Sequence, residues 1–103
     1  MTMTASGQDA SSFTIIIPTY NEVQNIGSMI EELLRLYPGV KVLVVDDNSI
    51  DGTVEVVNEL METHPSVRLM VRDPHDRGLT ASLMDGIVNA GTKHFIVMDS
   101  DFQ

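Results

Sequence analysis

Apolar and polar positions fall in blocks along this chain, and the spacing inside each block identifies its element. The first block, Phe13 to Pro18, contains Ile15, Ile16 and Ile17 without alternation. A continuous β-branched run reads as a strand buried on both faces. After the punctuation of Pro18 to Asn25, apolar residues recur at Ile26, Met29, Ile30, Leu33, Leu34 and Tyr37, with Glu31, Glu32 and Arg35 between them. This is helical spacing, and Pro38 and Gly39 end it. Val40 to Val45 is a second strand-like run that breaks at Asp46. Asp51 and Gly52 open a second helix whose stripe is Val54, Val57, Leu60 and Met61, and His64 and Pro65 close it. Val67 to Val71 is the third strand. A polar segment, Arg72 to Gly78, leads into a helix from about Thr80 to Ala90, with Leu83, Met84 and Ile87 inward and Gly91 as its stop. His94 to Met98 makes the fourth strand, which ends at Asp99.

Strands alternating with helices at this spacing build right-handed βαβ crossovers and a parallel sheet, so the expected fold is α/β, doubly wound and Rossmann-like. The expected strand order is 3-2-1-4. The small, polar stretch from Met1 to Ser12 is expected to be a disordered tail, leaving residues 13–103 as a single domain. The chain stops at Gln103, just past the apolar, central-looking fourth strand and with no following helix. Open doubly wound sheets usually continue further, so a fragment truncated after the fourth strand is the expectation.

Composition narrows the function. Of 103 residues 43% are hydrophobic, enough for a packed core. Six basic residues stand against 15 acidic ones, a formal charge of -9. The basic residues are scattered, which argues against a nucleic-acid groove, since affinity there comes largely from Lys and Arg. An anionic ligand would need backbone N–H groups or a divalent cation to offset the carboxylates. With no cysteine there is no disulfide framework, thiolate zinc site or cysteine nucleophile, and a reducing cytosol is compatible. No apolar run approaches the roughly 18 residues of a membrane-spanning helix, and the start lacks the basic and apolar regions of a secretory signal.

In open parallel sheets, ligands bind beyond the carboxyl ends of the strands, where strand order reverses. The unusual polar residues cluster at those ends: Pro18 to Glu22 after the first strand, Asp46 to Ser49 after the second, and Asp99 to Gln103 after the fourth. The third strand ends in the less specific Arg72, Asp73 and Pro74. Asp99 and Asp101, one residue apart, can both face a hard cation, and the Gln103 amide adds an oxygen ligand. Mg²⁺ or Mn²⁺ suits such donors, with a diphosphate completing the shell. Tyr20 offers a ring face to a nucleobase, Glu22 and Asp47 offer acceptors for base N–H or ribose hydroxyl groups, and Pro18 fixes the strand exit. Each has a plainer use: Asp46 or Asp51 can cap a helix, Tyr20 can lie on the core, and Asn21 can form a turn. It is the coincidence of three such rims that favours a site.

Other motifs are missing. His64, His75 and His94 share no metal-binding spacing. The Met residues at helical positions read as core filler. Neither Ser82 nor Ser100 lies in a G-x-S-x-G context, and no glycine-rich phosphate loop follows any strand. Arg77 and Gly78 read first as a surface loop, with a cation and bare backbone near phosphates as the second use.

Four segments taken together, Ile15 to Glu22, Val44 to Thr53, Arg77 to Leu79 and Val97 to Gln103, resemble the N-terminal half of family 2 glycosyltransferases of the GT-A fold. Within that family the chain is most similar to the dolichyl-phosphate mannose synthase branch, and the resemblance covers nearly everything from Phe13 onward. It implies a nucleotide-sugar site in which Pro18, Tyr20, Glu22, Val45 and Asp47 hold the nucleoside, with Asp99, Ser100 and Asp101 near the ribose and diphosphate. Asp101 and Gln103 would bind the metal, and Asp99 and Asp101 would be the catalytic pair. Gln103, two residues after Asp101, is similar to the polyprenyl-phosphate branch; Ser100 stands where that branch often has Ala.

The implied reaction is metal-dependent, inverting transfer of mannose from GDP-mannose to a polyprenyl or dolichyl phosphate. The acceptor loop, phosphate-clamping basic residues and any membrane anchor would lie beyond Gln103, so this chain alone is expected to be inactive. The full-length protein is expected at the cytoplasmic face of a membrane. A family 2 enzyme using a UDP-sugar and a non-catalytic nucleotide-binding module are the alternatives. A haloacid dehalogenase-type phosphatase fits less well, because its D-x-D belongs on the first strand.

Overall fold

The computed structural model describes residues 10–73 and 79–100. Ala10–Ser12 form a 3-10 turn directly before the first strand. The elements that follow are β1 (Phe13–Thr19), α1 (Ile26–Leu36), β2 (Lys41–Asp46), α2 (Thr53–Thr63), β3 (Val67–Val71), α3 (Leu79–Asn89) and β4 (His94–Val97). All strand pairs are parallel and the sheet order is β3-β2-β1-β4, the order expected from the sequence.

Side chains alternate across a strand, so a strand that is apolar at every position must be covered on both sides. The isoleucine run of β1 meets that requirement. Ile15 and Ile17 pack with Val42, Val44 and Val67 against Ile26, Met29, Ile30 and Leu33 of α1 and Val57 of α2. Ile16 faces the other way and clusters with Leu43, Val45 and Ala90. Each fully buried Ile or Val contributes about 1.5–3 kcal/mol relative to exposure.

The two-sided cover follows from the direction of travel. The chain steps from β1 to β2 to β3 one way across the sheet, and α3 then carries it back past β1 to β4. With right-handed crossovers, reversing direction moves the connecting helix to the opposite face. Strand order therefore reverses between β1 and β4.

The inner stripe of α3 differs from the expected one. Met84 is 57% and Ile87 38% exposed and Leu83 is half-buried, while among the described positions the buried ones are Gly86 and, just past the helix end, Ala90. A Cβ at Gly86 would lie 2.6 Å from Ile16 Cγ2 and 3.3 Å from Val45 Cγ2, so the helix backbone rests directly on the sheet. Hydrophobic spacing cannot show this, because the residue that makes the approach has no side chain. The end of α3 is held by Arg68 Nη2, which donates to the Asn89 and Ala90 carbonyls at 3.0 and 2.7 Å. β4 pairs with β1 alone among the described strands, and its Phe95, Ile96 and Val97 are partly exposed.

Gly86→Ala should destabilise the fold by about 1–3 kcal/mol, because overpacking against the rigid β-branched Ile16 outweighs the roughly 1 kcal/mol gain in helix propensity. A urea midpoint lower than that of the parent protein is the expected result.

Candidate functional site

The cleft at the sheet's carboxyl rim exists because β1 parts from its two neighbours at different points. Pairing with β4 ends at Ile16↔Val97, with a last bond from Met98 N to Ile16 O of 2.9 Å. Pairing with β2 runs on to Thr19↔Asp46. Pro18 has the same strand parity as Ile16, so its missing N–H faces the side that β4 has left and no ladder bond is lost. The Pro18 carbonyl accepts from Ser100 Oγ at 3.4 Å instead, and Ser100 is fully buried. Between the separated segments opens a cleft of about 330 Å³ lined by Pro18, Thr19, Tyr20, Glu22, Asp47, Leu83, Val97 and Asp99.

The loops after β1 and β2 are laced together by side chains. Asp46 is fully buried; its Oδ1 accepts from Thr19 Oγ1 at 2.7 Å and from Ser49 Oγ at 2.6 Å, and its Oδ2 accepts from Ser49 N at 2.8 Å. Ser49 Oγ in turn accepts from Asn21 N at 2.8 Å, and Asn21 Oδ1 accepts from Ile50 N at 3.0 Å. Asn21 and Asn48 adopt left-handed backbone, φ 56 and 66, which Asn tolerates better than most residues. Glu22 N donates to Thr53 Oγ1 and Val23 N to Asp51 Oδ2, at 2.9 and 3.1 Å. Tyr20 and Glu22 are thereby set by a rigid loop.

Asp51 links that loop to the start of α2. Its Oδ1 accepts from Thr53 N at 3.1 Å and from Thr53 Oγ1, while Gly52 supplies the left-handed turn, φ 101, that leads into the helix. Desolvation pushes the Asp51 carboxyl upward, but hydrogen bonds from Thr53 and Val23 outweigh it and hold the group below its ordinary value.

Five of the residues singled out in the sequence, Pro18, Tyr20, Glu22, Asp47 and Asp99, meet in this cleft. Tyr20 is 48% exposed there and not on the core, and Asn21 forms the turn that its residue type allowed. Ser100 stands behind Pro18. Val45 does not join them: its side chain is fully buried in the cluster beneath α3. Asp101, Gln103, Arg77 and Gly78 lie outside the described residues.

Three contributors were not anticipated. Thr19 orients Asp46, and Leu83 supplies an apolar wall. Arg72 is buried and its Nη1 lies 3.4 Å from Asp47 Oδ1. Its position directly after the third apolar run was the available signal, but only the sheet register, which sets Val71 opposite Asp46, places it beside Asp47, the first residue past the end of β2.

Among the described residues no three His, Cys, Asp or Glu side chains are grouped to hold a metal ion. Asp99 brings a carboxylate to the cleft, and the donors expected with it, Asp101 and Gln103, also present oxygen. That donor set fits a hard divalent cation such as Mg²⁺ or Mn²⁺.

A cleft at the switch point of a doubly wound parallel sheet lies where α/β proteins of this class bind their ligands. Residues 14–103 match the glycosyl transferase family 2 profile, and the chain belongs to that family. It is 34% identical over 92 residues to a dolichol-phosphate mannosyltransferase of Pyrococcus furiosus, covering 87% of this chain and 26% of that protein. The dolichol-phosphate mannosyltransferase of Saccharomyces cerevisiae is 33% identical over 99 residues, covering 88% and 36%. A solved mannosyltransferase from Pyrobaculum calidifontis, in complex with GDP-Man and Mn²⁺, superposes with a TM-score of 0.74 at 32% identity, covering 87% of this chain and 27% of its own. The fold is thus a Rossmann-like GT-A fragment, and the chain spans about a quarter to a third of the length of these relatives.

Two substitutions test the loop framework. Ser49→Ala removes a donor to buried Asp46 and the acceptor of Asn21 N, and should lower stability by about 1–3 kcal/mol in urea denaturation. Asp51 has a folded-state value below its unfolded one, so its contribution is present above the unfolded value and lost as pH falls through the folded value. Asp51→Asn should therefore lower the urea midpoint most near neutrality, with the gap to the parent closing as the pH falls below the ordinary carboxylate range.

Proposed function

We propose that this chain forms the donor-binding part of a metal-dependent, inverting mannosyltransferase that uses GDP-mannose and a polyprenyl or dolichyl phosphate acceptor. The observation that carries the proposal is the convergence of Pro18, Tyr20, Glu22, Asp47 and Asp99 on one cleft at the switch point. Support for the sugar and the acceptor class comes from the relatives, which are named dolichol-phosphate mannosyltransferases, and from the similar solved enzyme bound to GDP-Man and Mn²⁺.

In this reading the base lies against the exposed Tyr20 ring, and Glu22 and Asp47 accept its N–H or the ribose hydroxyl groups. Pro18 shapes the floor, while Asp99, Ser100 and Asp101 border the ribose and diphosphate. Val45, whose side chain is in the core, contributes through backbone position. Asp101 and Gln103 would hold a divalent cation, which supplies charge neutralisation for the departing diphosphate. An oxygen of the acceptor phosphate forms a bond to the anomeric carbon as the bond from that carbon to the GDP β-phosphate oxygen breaks, inverting configuration. The acceptor phosphate is anionic near neutrality, so its attack requires no strong general base.

In this reading the full-length enzyme works at the cytoplasmic face of a membrane, where it would meet a polyprenyl phosphate acceptor. Among the described residues no helix is long and apolar enough to cross a membrane.

Calorimetric titration with GDP, GDP-mannose and UDP, with and without Mn²⁺, tests the reading. The expected result is Mn²⁺-dependent binding of GDP and GDP-mannose that Asp101→Ala abolishes. Preference for UDP would redirect the donor assignment, and no nucleotide binding by a protein shown to be folded by circular dichroism would overturn the proposal.

A further inference from the structure

The carboxyl rim of the sheet gathers negative charge. Glu22, Asp46, Asp47, Asp73 and Asp99 all lie there, and among the described residues Arg72 is the only lysine or arginine with them. Lys41 opens β2, Arg68 lies near the start of β3, Lys93 precedes β4 and Arg35 is in the last turn of α1, all away from this rim.

Arg72 is fixed from three directions. Its backbone N donates to the Asp46 carbonyl at 2.8 Å, its carbonyl accepts from Asn48 Nδ2, and its guanidinium Nη1 meets Asp47 Oδ1 at 3.4 Å. Only 5% of the Arg72 side chain and 14% of the Asp47 side chain are exposed. Asp47 is further tethered by its own N–H to the Thr19 carbonyl at 3.0 Å. Asp47 lines the cleft; Arg72 does not.

A planar guanidinium in so confined a place restricts how the facing carboxylate can turn. A carboxylate held in one orientation accepts from a base edge that presents N–H donors, and it opposes an edge that presents a ring-nitrogen acceptor. Guanine offers adjacent ring and exocyclic N–H groups; adenine offers a ring acceptor at the equivalent place.

We propose that Arg72 is a positioning residue for base selection: it holds the Asp47 carboxylate in the orientation that accepts from a guanine-type N–H edge, without itself touching the nucleotide. This rests on the reading of the cleft as a nucleotide-sugar site.

The test is a double-mutant cycle on the protein, with GDP and ADP as probes and calorimetric affinity as the readout. Arg72→Gln should weaken GDP binding about tenfold, the usual scale for a hydrogen bond to a charged group, while changing ADP binding little, so that base preference falls with it. In an Asp47→Asn background the same substitution should change GDP affinity by less than about twofold, because the group through which Arg72 acts is gone. Arg72→Lys, which keeps the charge but not the planar fork, should fall between the parent and Arg72→Gln and carries the cycle if Arg72→Gln does not fold.

Equal losses for GDP and ADP would reduce Arg72 to a structural residue and overturn the proposal. A loss that persists in the Asp47→Asn background would mean direct contact with the nucleotide and would overturn it as well. A parent protein that prefers GDP, with a preference unchanged by either Arg72 substitution, would sink the proposal and leave the site reading intact. A folded parent that binds neither probe would overturn both.

Discussion

The buried carboxylate of Asp46 is the constraint on which the site depends. It ends β2 inside the protein, where a carboxylate is tolerated only if its oxygens are hydrogen-bonded. Thr19 from the end of β1 and Ser49 from the following loop supply those bonds, so satisfying one buried group ties two strand ends together. The same Ser49 hydroxyl then catches Asn21 N, which fixes the turn between Tyr20 and Glu22. Rigid placement of cleft residues is thus a by-product of satisfying a charge that the fold has buried.

The fold contributes the space. Reversal of strand order between β1 and β4 lets β4 leave the ladder after Ile16 while β2 continues to Thr19, and Pro18 sits where its lack of an N–H costs no bond. α3 comes close enough to wall this opening because Gly86 lets its backbone rest on Ile16 and Val45. Leu83, one turn earlier on the same helix, consequently reaches the cleft. An apolar wall from α3, a ring from the first loop and carboxylates from the loops after β1, β2 and β4 make a surface suited to a flat, polar-edged ligand.

Charge gives the site its second character. A chain with a formal charge of -9 needs local cations to accept an anionic ligand, and within the described residues the rim has one, committed to Asp47. Binding of a diphosphate therefore calls on a divalent cation or on groups outside those residues. The similar solved mannosyltransferase, in complex with GDP-Man and Mn²⁺, is consistent with the first of these.

Much of this was legible along the chain. Unbroken runs such as Ile15-Ile16-Ile17 announce a strand covered on both faces, the helical spacing from Ile26 to Leu33 announces its cover, and right-handed crossovers then leave few strand orders to consider. Polar residues directly after apolar strands marked the rim, because a strand end is where buried backbone first meets solvent. Residues whose role rests on neighbours distant in sequence were not legible. Val45 and Asp47 are two positions apart, yet Val45 lies within β2 and is covered by α3, while Asp47 lies just past the end of β2 and borders the cleft. Gly86 carries no hydrophobic signal, and its importance appears only when Ile16 is seen 2.6 Å from where its Cβ would be. Arg72 looked like an ordinary loop cation until parallel pairing of β3 with β2 set it against Asp47. Periodicity and turn chemistry, which are local, determined the elements and the rim; pairing register and helix approach, which are not, decided which of the marked residues meet.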